Sequence, residues 1–429
     1  MFRRLGNRIG TAAAALFLCV AAGAQTDGTY SGYSPYSIYG IGQLHQSGTA
    51  HSRGMGGVGI ANRSKRYINT LNPASVTSRD SLSFMADFGL SGRTTYLTQG
   101  SSHNISNTVN IDDFVLSFPL WRHTAMMVGI TPFSDMGYSF SDSEIDGMTG
   151  LRSFTSKGNG GVYQMFAGFG ITLWNRLSLG VEYKHFFGNL NKVASTTFSD
   201  DSFIGQTVGD SLQVRGNTAK FGLQWEQPIS YKSYLTVGAT YRLSTRMRGH
   251  TIDYASLGNQ YDRDYLSISD EGLRFGNEAG VGISYRKADT WSVEFDYTFT
   301  DWSDSGFDST RGFSNMGNST FSSSSGQAFR LGFDLTPNRN DIRYFFKRCT
   351  YRAGAYFDQS YYLVDGAHVN AAGISLGMTI PVYAGYNGIS VGFDFGQRGF
   401  GGNLVKENYF GFNIGFNIFD IWFQKPQYQ

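Results

Sequence analysis

Long stretches of strict period-two alternation dominate this sequence. Phe410, Phe412, Ile414, Phe416 and Ile418 alternate with Gly411, Asn413, Gly415 and Asn417. Ile389, Val391, Phe393 and Phe395 do so with Ser390, Gly392, Asp394 and Gly396, and Phe329, Leu331, Phe333 and Leu335 with Arg330, Gly332, Asp334 and Thr336. On a strand successive side chains point to opposite faces, so each segment has one apolar face and one small or polar face. Such strands build either a soluble sandwich with the apolar rows inside, or a membrane barrel with those rows facing lipid.

Composition bears on that choice. The chain holds 55 Gly, 35 Phe and 26 Tyr, with only 16% charged residues. A disordered chain has few aromatics and high net charge, the opposite profile. Beyond the N-terminus no apolar run approaches the ~18 residues of a spanning helix. Turning the apolar rows outward sends Glu182, Lys184, Lys220, Glu226, Arg242, Arg286, Glu294, Asp296, Arg330, Asp334, Arg352, Asp358 and Asp394 inward together, where opposite charges can pair. Charge alternation alone fits a wet sandwich face as well; segment count and loop pattern decide.

Fourteen segments are expected, near 81–95, 108–120, 123–140, 159–173, 176–190, 211–226, 232–246, 272–286, 289–302, 326–337, 347–358, 367–380, 387–397 and 406–423. The number is even, as in bacterial outer-membrane barrels. Connections after even-numbered segments are mostly short, such as Trp121-Arg122 and Trp174-Asn175, whereas Ser141 to Asn159, Asn191 to Asp210, Gly249 to Glu271 and Ser303 to Ser325 are long and polar. Long outer loops and short inner turns are the rule for such barrels. Asn338 to Phe346 is an exception, longer and basic. The fold class is therefore all-β: a 14-stranded antiparallel transmembrane β-barrel over residues 81–429, in the outer membrane of a Gram-negative cell.

Arg3, Arg4 and Arg8 precede an apolar stretch from Thr11 to Ala22, and Ala22-Gly23-Ala24 reads as a cleavage site, so residues 1–24 are expected to be a signal peptide. Leu18 before Cys19 argues against lipid attachment. Cleavage leaves 32 Lys plus Arg against 33 Asp plus Glu, a net charge of -1 with no basic surface for nucleic acid. It also leaves a single cysteine, Cys349, and hence no internal disulfide.

Residues 25–80 do not alternate. Gly40, Gly42, Gly48, Gly54, Gly56, Gly57 and Gly59 lie among small and polar residues, and Asn72-Pro73-Ala74 closes the segment with a turn signal. About eight strands are the most that side chains alone can fill, so a wider barrel needs contents. Tyr36, Ile38, Tyr39, Ile41, Met55, Val58, Ile60, Ile68 and Leu71 supply apolar contacts that a solvated tail would lack, which points to a lumenal plug.

The run from Ser47-Gly48 through Arg53-Gly54-Met55-Gly56-Gly57-Val58-Gly59-Ile60-Ala61, followed by Asn72-Pro73-Ala74-Ser75 before the first strand, resembles the N-terminal hatch of the FadL/TodX family of outer-membrane transporters for long-chain fatty acids and hydrocarbons. The ending Phe419 to Lys425 is similar to Bacteroidota members of that group. The resemblance implies fourteen strands around a hatch and passive uptake of a hydrophobic small molecule. It places a gate at Gly54, Gly56, Gly57, Gly59, Asn72, Pro73 and Ala74, and a lateral exit at a kinked third strand. Here that strand reads Gly129-Ile130-Thr131-Pro132-Phe133. Proline cannot donate to a ladder, so Pro132 predicts either a break in pairing or a strand ending at Ile130. The polar mature N-terminus, Gln25-Thr26-Asp27-Gly28, departs from members that insert an apolar end into the ligand pocket. Relatives that serve protein secretion make a protein partner the alternative to a small ligand, with outer-membrane lipid around the barrel in both cases.

No cofactor, metal or catalytic residue is expected. Gly54 to Gly59 fits G-x-G-x-x-G without the βαβ context that gives the motif meaning. Gly373 to Gly377 and Gly388 to Gly392 fit G-x-S-x-G, but inside strands rather than at a strand-to-helix elbow. The seven His form no close-spaced metal pair, and His185, beside Phe186 and Phe187, suits an aromatic girdle.

Overall fold

The structure, a computed structural model, describes residues 32–80, 82–146, 150–200, 202–258, 264–269, 272–287, 290–309, 315–316, 319–382, 387–400 and 404–421. Residues 1–24, expected to be a signal peptide, Gln25 to Ser31 and the ending Trp422 to Lys425 lie outside the described residues.

Fourteen antiparallel strands close into one barrel: β1 (Ser83–Gln99), β2 (Ser102–Trp121), β3 (Thr124–Asp146), β4 (Gly150–Leu173), β5 (Leu177–Phe198), β6 (Gln206–Ser230), β7 (Ser233–Arg242), β8 (Asn277–Lys287), β9 (Trp291–Asp301), β10 (Ser325–Leu335), β11 (Thr350–Val364), β12 (Ala367–Pro381), β13 (Gly388–Arg398) and β14 (Lys406–Ile421). β1 pairs with β14 from Ser83↔Ile421 to Thr98↔Lys406, which closes the ring. All fourteen expected segments become strands.

The faces follow the alternation. Ile283, Val293, Phe295, Leu331, Phe333, Phe393 and Ile418 are exposed on the outside, while Glu182, Lys184, Lys220, Arg242, Glu294, Asp296 and Arg352 are buried within. The inward charges pair across strands, as in Lys220 with Glu278, Arg286 with Glu226 and Arg330 with Asp358. A band of exposed aromatic and aliphatic side chains around a polar interior with charges of both signs is what a bilayer requires of a barrel.

Two of the expected long loops prove to be mostly strand. β3 and β4 pair as far as Asp146↔Gly150, and β5 and β6 as far as Thr196↔Gln206. These extensions are mostly polar, as in Ser-Asp-Ser-Glu-Ile-Asp over 141–146, with scattered apolar residues and no sustained apolar row, so hydrophobic periodicity does not mark them. Between β7 and β8, Thr251–Leu257 adds to β6 and Asp264–Ser269 adds to it in turn. The connection between β11 and β12 is a tight turn in which Asp365 and Gly366 both take left-handed φ, 50° and 76°, as a two-residue type I′ hairpin demands. The basic connection ends in a short 3-10 helix, Phe345–Arg348.

Candidate functional site

Residues 32–80 lie inside the barrel, and they seat there because glycines face them. Gly170, Gly180, Gly222, Gly238, Gly282, Gly332, Gly354, Gly377 and Gly415 stand on nine strands, and several are register partners, as in Gly170↔Gly180, Gly180↔Gly222, Gly238↔Gly282 and Gly332↔Gly354. A Cβ at Gly332 would come 2.6 Å from the Met55 carbonyl oxygen, and one at Gly415 2.6 Å from the Ala50 Cβ. A Cβ at Gly180 would meet Ala74 N and Pro73 C, at Gly222 the Asn72 side chain, and at Gly354 the Gly56 amide. The inner segment thus packs backbone against backbone on a belt of absent side chains, the close approach only glycine permits.

Each residue singled out in the inner segment has a place on this belt. Gly54 lies against Gly377, with 3.2 Å from its would-be Cβ to the Gly377 Cα. Gly56 and Gly57 take left-handed φ of 74° and 82°, and the Gly56 amide donates to Ser375 Oγ at 2.7 Å. Ser375, centre of one G-x-S-x-G match, is thus a docking residue on β12. The Gly59 and Ile60 amides donate to Asp296 Oδ2 at 2.7 and 2.9 Å. Asn72 caps the 3-10 helix Pro73–Ser78 by accepting from the Ala74 amide, and its Nδ2 donates to Ile60 O at 2.8 Å and to Leu223 O of β6 at 3.2 Å. Asn72, Pro73 and Ala74 are all buried. Sequence reasoning names these residues but misses their partners on the barrel; the signal is the lumen-facing glycine of each alternating strand.

Nearer the long-loop end, Tyr36, Ile38, Tyr39 and Ile41 join Phe186, Phe275, Trp302, Phe321, Tyr361 and Tyr362 in one buried cluster. Tyr39 stacks on Phe321 with centroids 5.4 Å apart, and Tyr361 OH donates to Gly42 O at 2.9 Å. Cavities remain beside the inner segment among the described residues. One of about 220 Å³ is lined by Arg330, Tyr356, Asp358 and Tyr409 among others; one of about 90 Å³ by Tyr33, His45, Arg53 and Arg93 among others.

Gly129 and Pro132 lie on β3, where the wall divides. β2 and β3 pair only from Trp121↔Thr124 to Phe114↔Ile130 and diverge beyond. Bulges flank the split. On β1–β2 the register skips Asp112, and on β3–β4 it skips Phe133, directly after Pro132. A bulge re-aims the extra side chain. Asp112 turns inward to an ion pair with Arg53 of the inner segment, and Phe133 turns inward onto Phe186 at 4.7 Å. The local break expected at Pro132 is therefore a one-residue bulge, with β3 continuing past it.

The inner segment fills the lower part of the split. Gln43–Leu44 pairs with Asp135 and Ser134 of β3, and the His45 amide donates to Phe133 O at 2.9 Å. His45 Nε2 stands 3.5 Å from Asp112 on one lip and 3.9 Å from Asp135 on the other. Burial and the adjacent Arg53 guanidinium hold the His45 imidazole below its ordinary pKa, against the pull of the two carboxylates. His51, stacked on Tyr67 at 3.7 Å, is held well below its ordinary value by burial and by Arg352 and Arg66.

A closed fourteen-stranded barrel with an apolar belt, a chain segment seated in its lumen and a wall split beside one bulged strand defines a filled barrel of the outer-membrane type. Solved structures share that fold. The CymD monoaromatic hydrocarbon channel superposes with a TM-score of 0.55 at 14% identity, over 90% of this chain and 99% of that one. The Ralstonia pickettii toluene transporter TbuX gives 0.53 at 13%, over 87% and 98%, and the Pseudomonas putida toluene transporter TodX 0.54 at 12%, over 89% and 100%. The chain itself belongs to the BamG family, whose model matches residues 1–429. The resemblance to FadL/TodX proteins thus holds for the fold, while the matching family model carries a different name. No curated protein matches the sequence.

Proposed function

We propose that this barrel serves exported proteins at the outer membrane, as an accessory that engages a polypeptide partner. The observation that carries this reading is the filling of the lumen. Tyr36, Ile38, Tyr39 and Ile41 occupy the apolar space near the long-loop end, and the glycine belt seats the rest of the segment without slack. The cavities of about 220 and 90 Å³ fall below the roughly 300–1,000 Å³ of a typical ligand pocket, and charged groups line them. What the barrel offers a partner is its surface and its divided wall. Cells depleted of the protein test the reading: the population of exported proteins should change while uptake of a long-chain fatty acid or of toluene stays normal, and the reverse outcome overturns it.

A second reading is passive uptake of long-chain fatty acids or hydrocarbons. Residues 25–80 would act as a hatch gated at Gly54, Gly56, Gly57, Gly59, Asn72, Pro73 and Ala74, with a lateral exit at Gly129 and Pro132. It is favoured by the split beside Pro132 and by the hydrocarbon channel and toluene transporter among the structures of similar fold. Saturable binding of a fatty acid analogue to detergent-purified protein, competed by hydrocarbon, would establish it; a null result in both the wild type and a variant truncated at Tyr36 and Tyr39 (both to Ala) would remove it.

A further inference from the structure

The split wall leaves two strand edges of unequal character. The edge of β3 is used by the chain itself: Gln43–Leu44 pairs with Ser134 and Asp135, the Ser34 amide donates to Gly137 O at 2.9 Å, and Tyr33 OH donates to Ser139 O at 3.2 Å. Across the split, β2 continues through residues 102–113, paired with β1 on one side apart from the bulge at Asp112; among the described residues no strand pairs with its other side, and 102–109 are its outer eight residues.

A free edge displays backbone donors and acceptors in a row, and proteins ordinarily blunt such edges with Lys, Pro, inward charges or a bulge. Residues 102–109 read Ser-His-Asn-Ile-Ser-Asn-Thr-Val, with no Pro, Lys, Asp or Glu. The bulge at Asp112 and the buried carboxylates of Asp112 and Asp113 lie at the base of this stretch, below residues 102–109. The outward row Ile105, Asn107, Val109 and Ile111 is apolar except at Asn107, with Ile105, Val109 and Ile111 58%, 47% and 60% exposed, and continues the apolar surface of the paired part of the strand, while Ser106 and Thr108 take the other parity. The same strand carries an existing ladder below it, since the pairing of β2 with β3 runs up to Phe114, with residues 110–113 between it and Val109.

We infer that residues 102–109 of β2 are a strand-addition site, and that the occupant is an extended segment of another exported polypeptide with apolar-polar alternation of the outer-membrane type. Main-chain hydrogen bonds would supply the attraction, and the match of an apolar row to Ile105, Val109 and Ile111 the register. The inference rests on the accessory reading above and adds its location and mode.

Amide hydrogen exchange on the purified full chain tests it, with a synthetic peptide of residues 410–418 as a generic alternating strand. Without peptide, amides in 102–109 facing the split should exchange at least about tenfold faster than the paired amides of 114–121. With peptide they should slow by about tenfold or more, equivalent to about 1.4 kcal/mol. A peptide with the same residues in scrambled order should not protect them. Equal protection of 102–109 and 114–121 in the free protein would overturn the inference, because a second copy or residues 25–31 would then already cover the edge. Equal protection by the scrambled peptide would overturn it too. In cells, V109K places a charge on the edge, and N107P with V109P removes donors from it; the milder variant serves where the double one fails to reach the membrane. Normal exported proteins in edge-blocked cells, against altered ones in cells lacking the chain, would defeat the strand-addition site and leave the accessory reading standing. Normal exported proteins in cells lacking the chain would defeat the accessory reading itself.

Discussion

Gly180→Ala isolates the contact between the inner segment and the wall. Gly180 sits in mid-strand without left-handed φ, so alanine fits the backbone of β5, and in an open strand the exchange would stabilise by about 0.5–1 kcal/mol. At this site the new methyl meets Ala74 N and Pro73 C, both backbone atoms that no rotamer change can move aside. Overpacking of that kind costs about 1–3 kcal/mol. The barrel ladder need not yield, because the inner segment can lift from β5 instead. The cost therefore falls on docking of residues 72–76, whose opening equilibrium should rise by a factor of about 5 to 150 at 1.4 kcal/mol per decade. Amide hydrogen exchange resolved along the sequence reads this directly: faster exchange at 72–76, unchanged exchange in β4, β5 and β6. Gly411→Ala is the control, since its nearest neighbour would be Asp394 Cβ at 3.4 Å, an ordinary contact. If Gly180→Ala leaves 72–76 as protected as in the wild type, the segment is not seated on the glycine belt and the packing argument fails.

Asn72→Ala removes the cap on Ala74 and the donor to Ile60 O and Leu223 O, and should cost about 1–3 kcal/mol in local protection of 69–76 without altering the heat-modifiable migration of the barrel. Arg53→Met strands the buried Asp112 carboxylate, for about 3–5 kcal/mol of lost docking near the split, and R53M with D112L should recover most of it, as exchange at 43–53 would show. The pH response follows from the two inner histidines. Both are held below their ordinary pKa when docked, so a released segment binds more protons, and docking should be fully present above about pH 6.5 and weaken as pH falls below it. The slope is at most about 1.4 kcal/mol per pH unit for each histidine, and His51→Phe, which keeps the stack on Tyr67, should remove its share in a pH series of the same exchange measurement.

The strands were legible because lipid on one side and a crowded lumen on the other impose a period of two, which Phe410 to Ile418 obeys without a lapse. Legibility ended where the apolar face ended. Residues 141–146 and 191–198 continue as strand on mostly polar residues without a sustained apolar row, held by ladder bonds that leave no hydrophobic mark. The lumenal place of residues 32–80 followed from the width of the barrel and from Tyr36, Tyr39 and Ile41, yet the seat did not, because glycine records the nearness of a neighbour without saying which one. Gly354 could have faced water, ligand or chain; only the fold sets it on Gly56.

The split wall shows the same division between what one strand encodes and what two must share. Pro132 signalled an irregularity in β3, and Phe133 is indeed skipped by the ladder there. On β2, Asn110, Ile111, Asp112 and Asp113 include no Pro or Gly to mark an irregularity. Yet the second bulge is at Asp112, and without it that carboxylate would not turn inward to reach Arg53 and His45. Each bulge hands the inner segment one anchor, the Asp112 ion pair with Arg53 from β2 and the Phe133 carbonyl that accepts from the His45 amide from β3, and together they take the two strands off a common register. The opening and its lower closure thus arise from the same pair of extra residues. Deleting Phe133 alone would restore register on β3–β4 while removing the ring packed on Phe186, so the inner segment should loosen even as the wall becomes more regular.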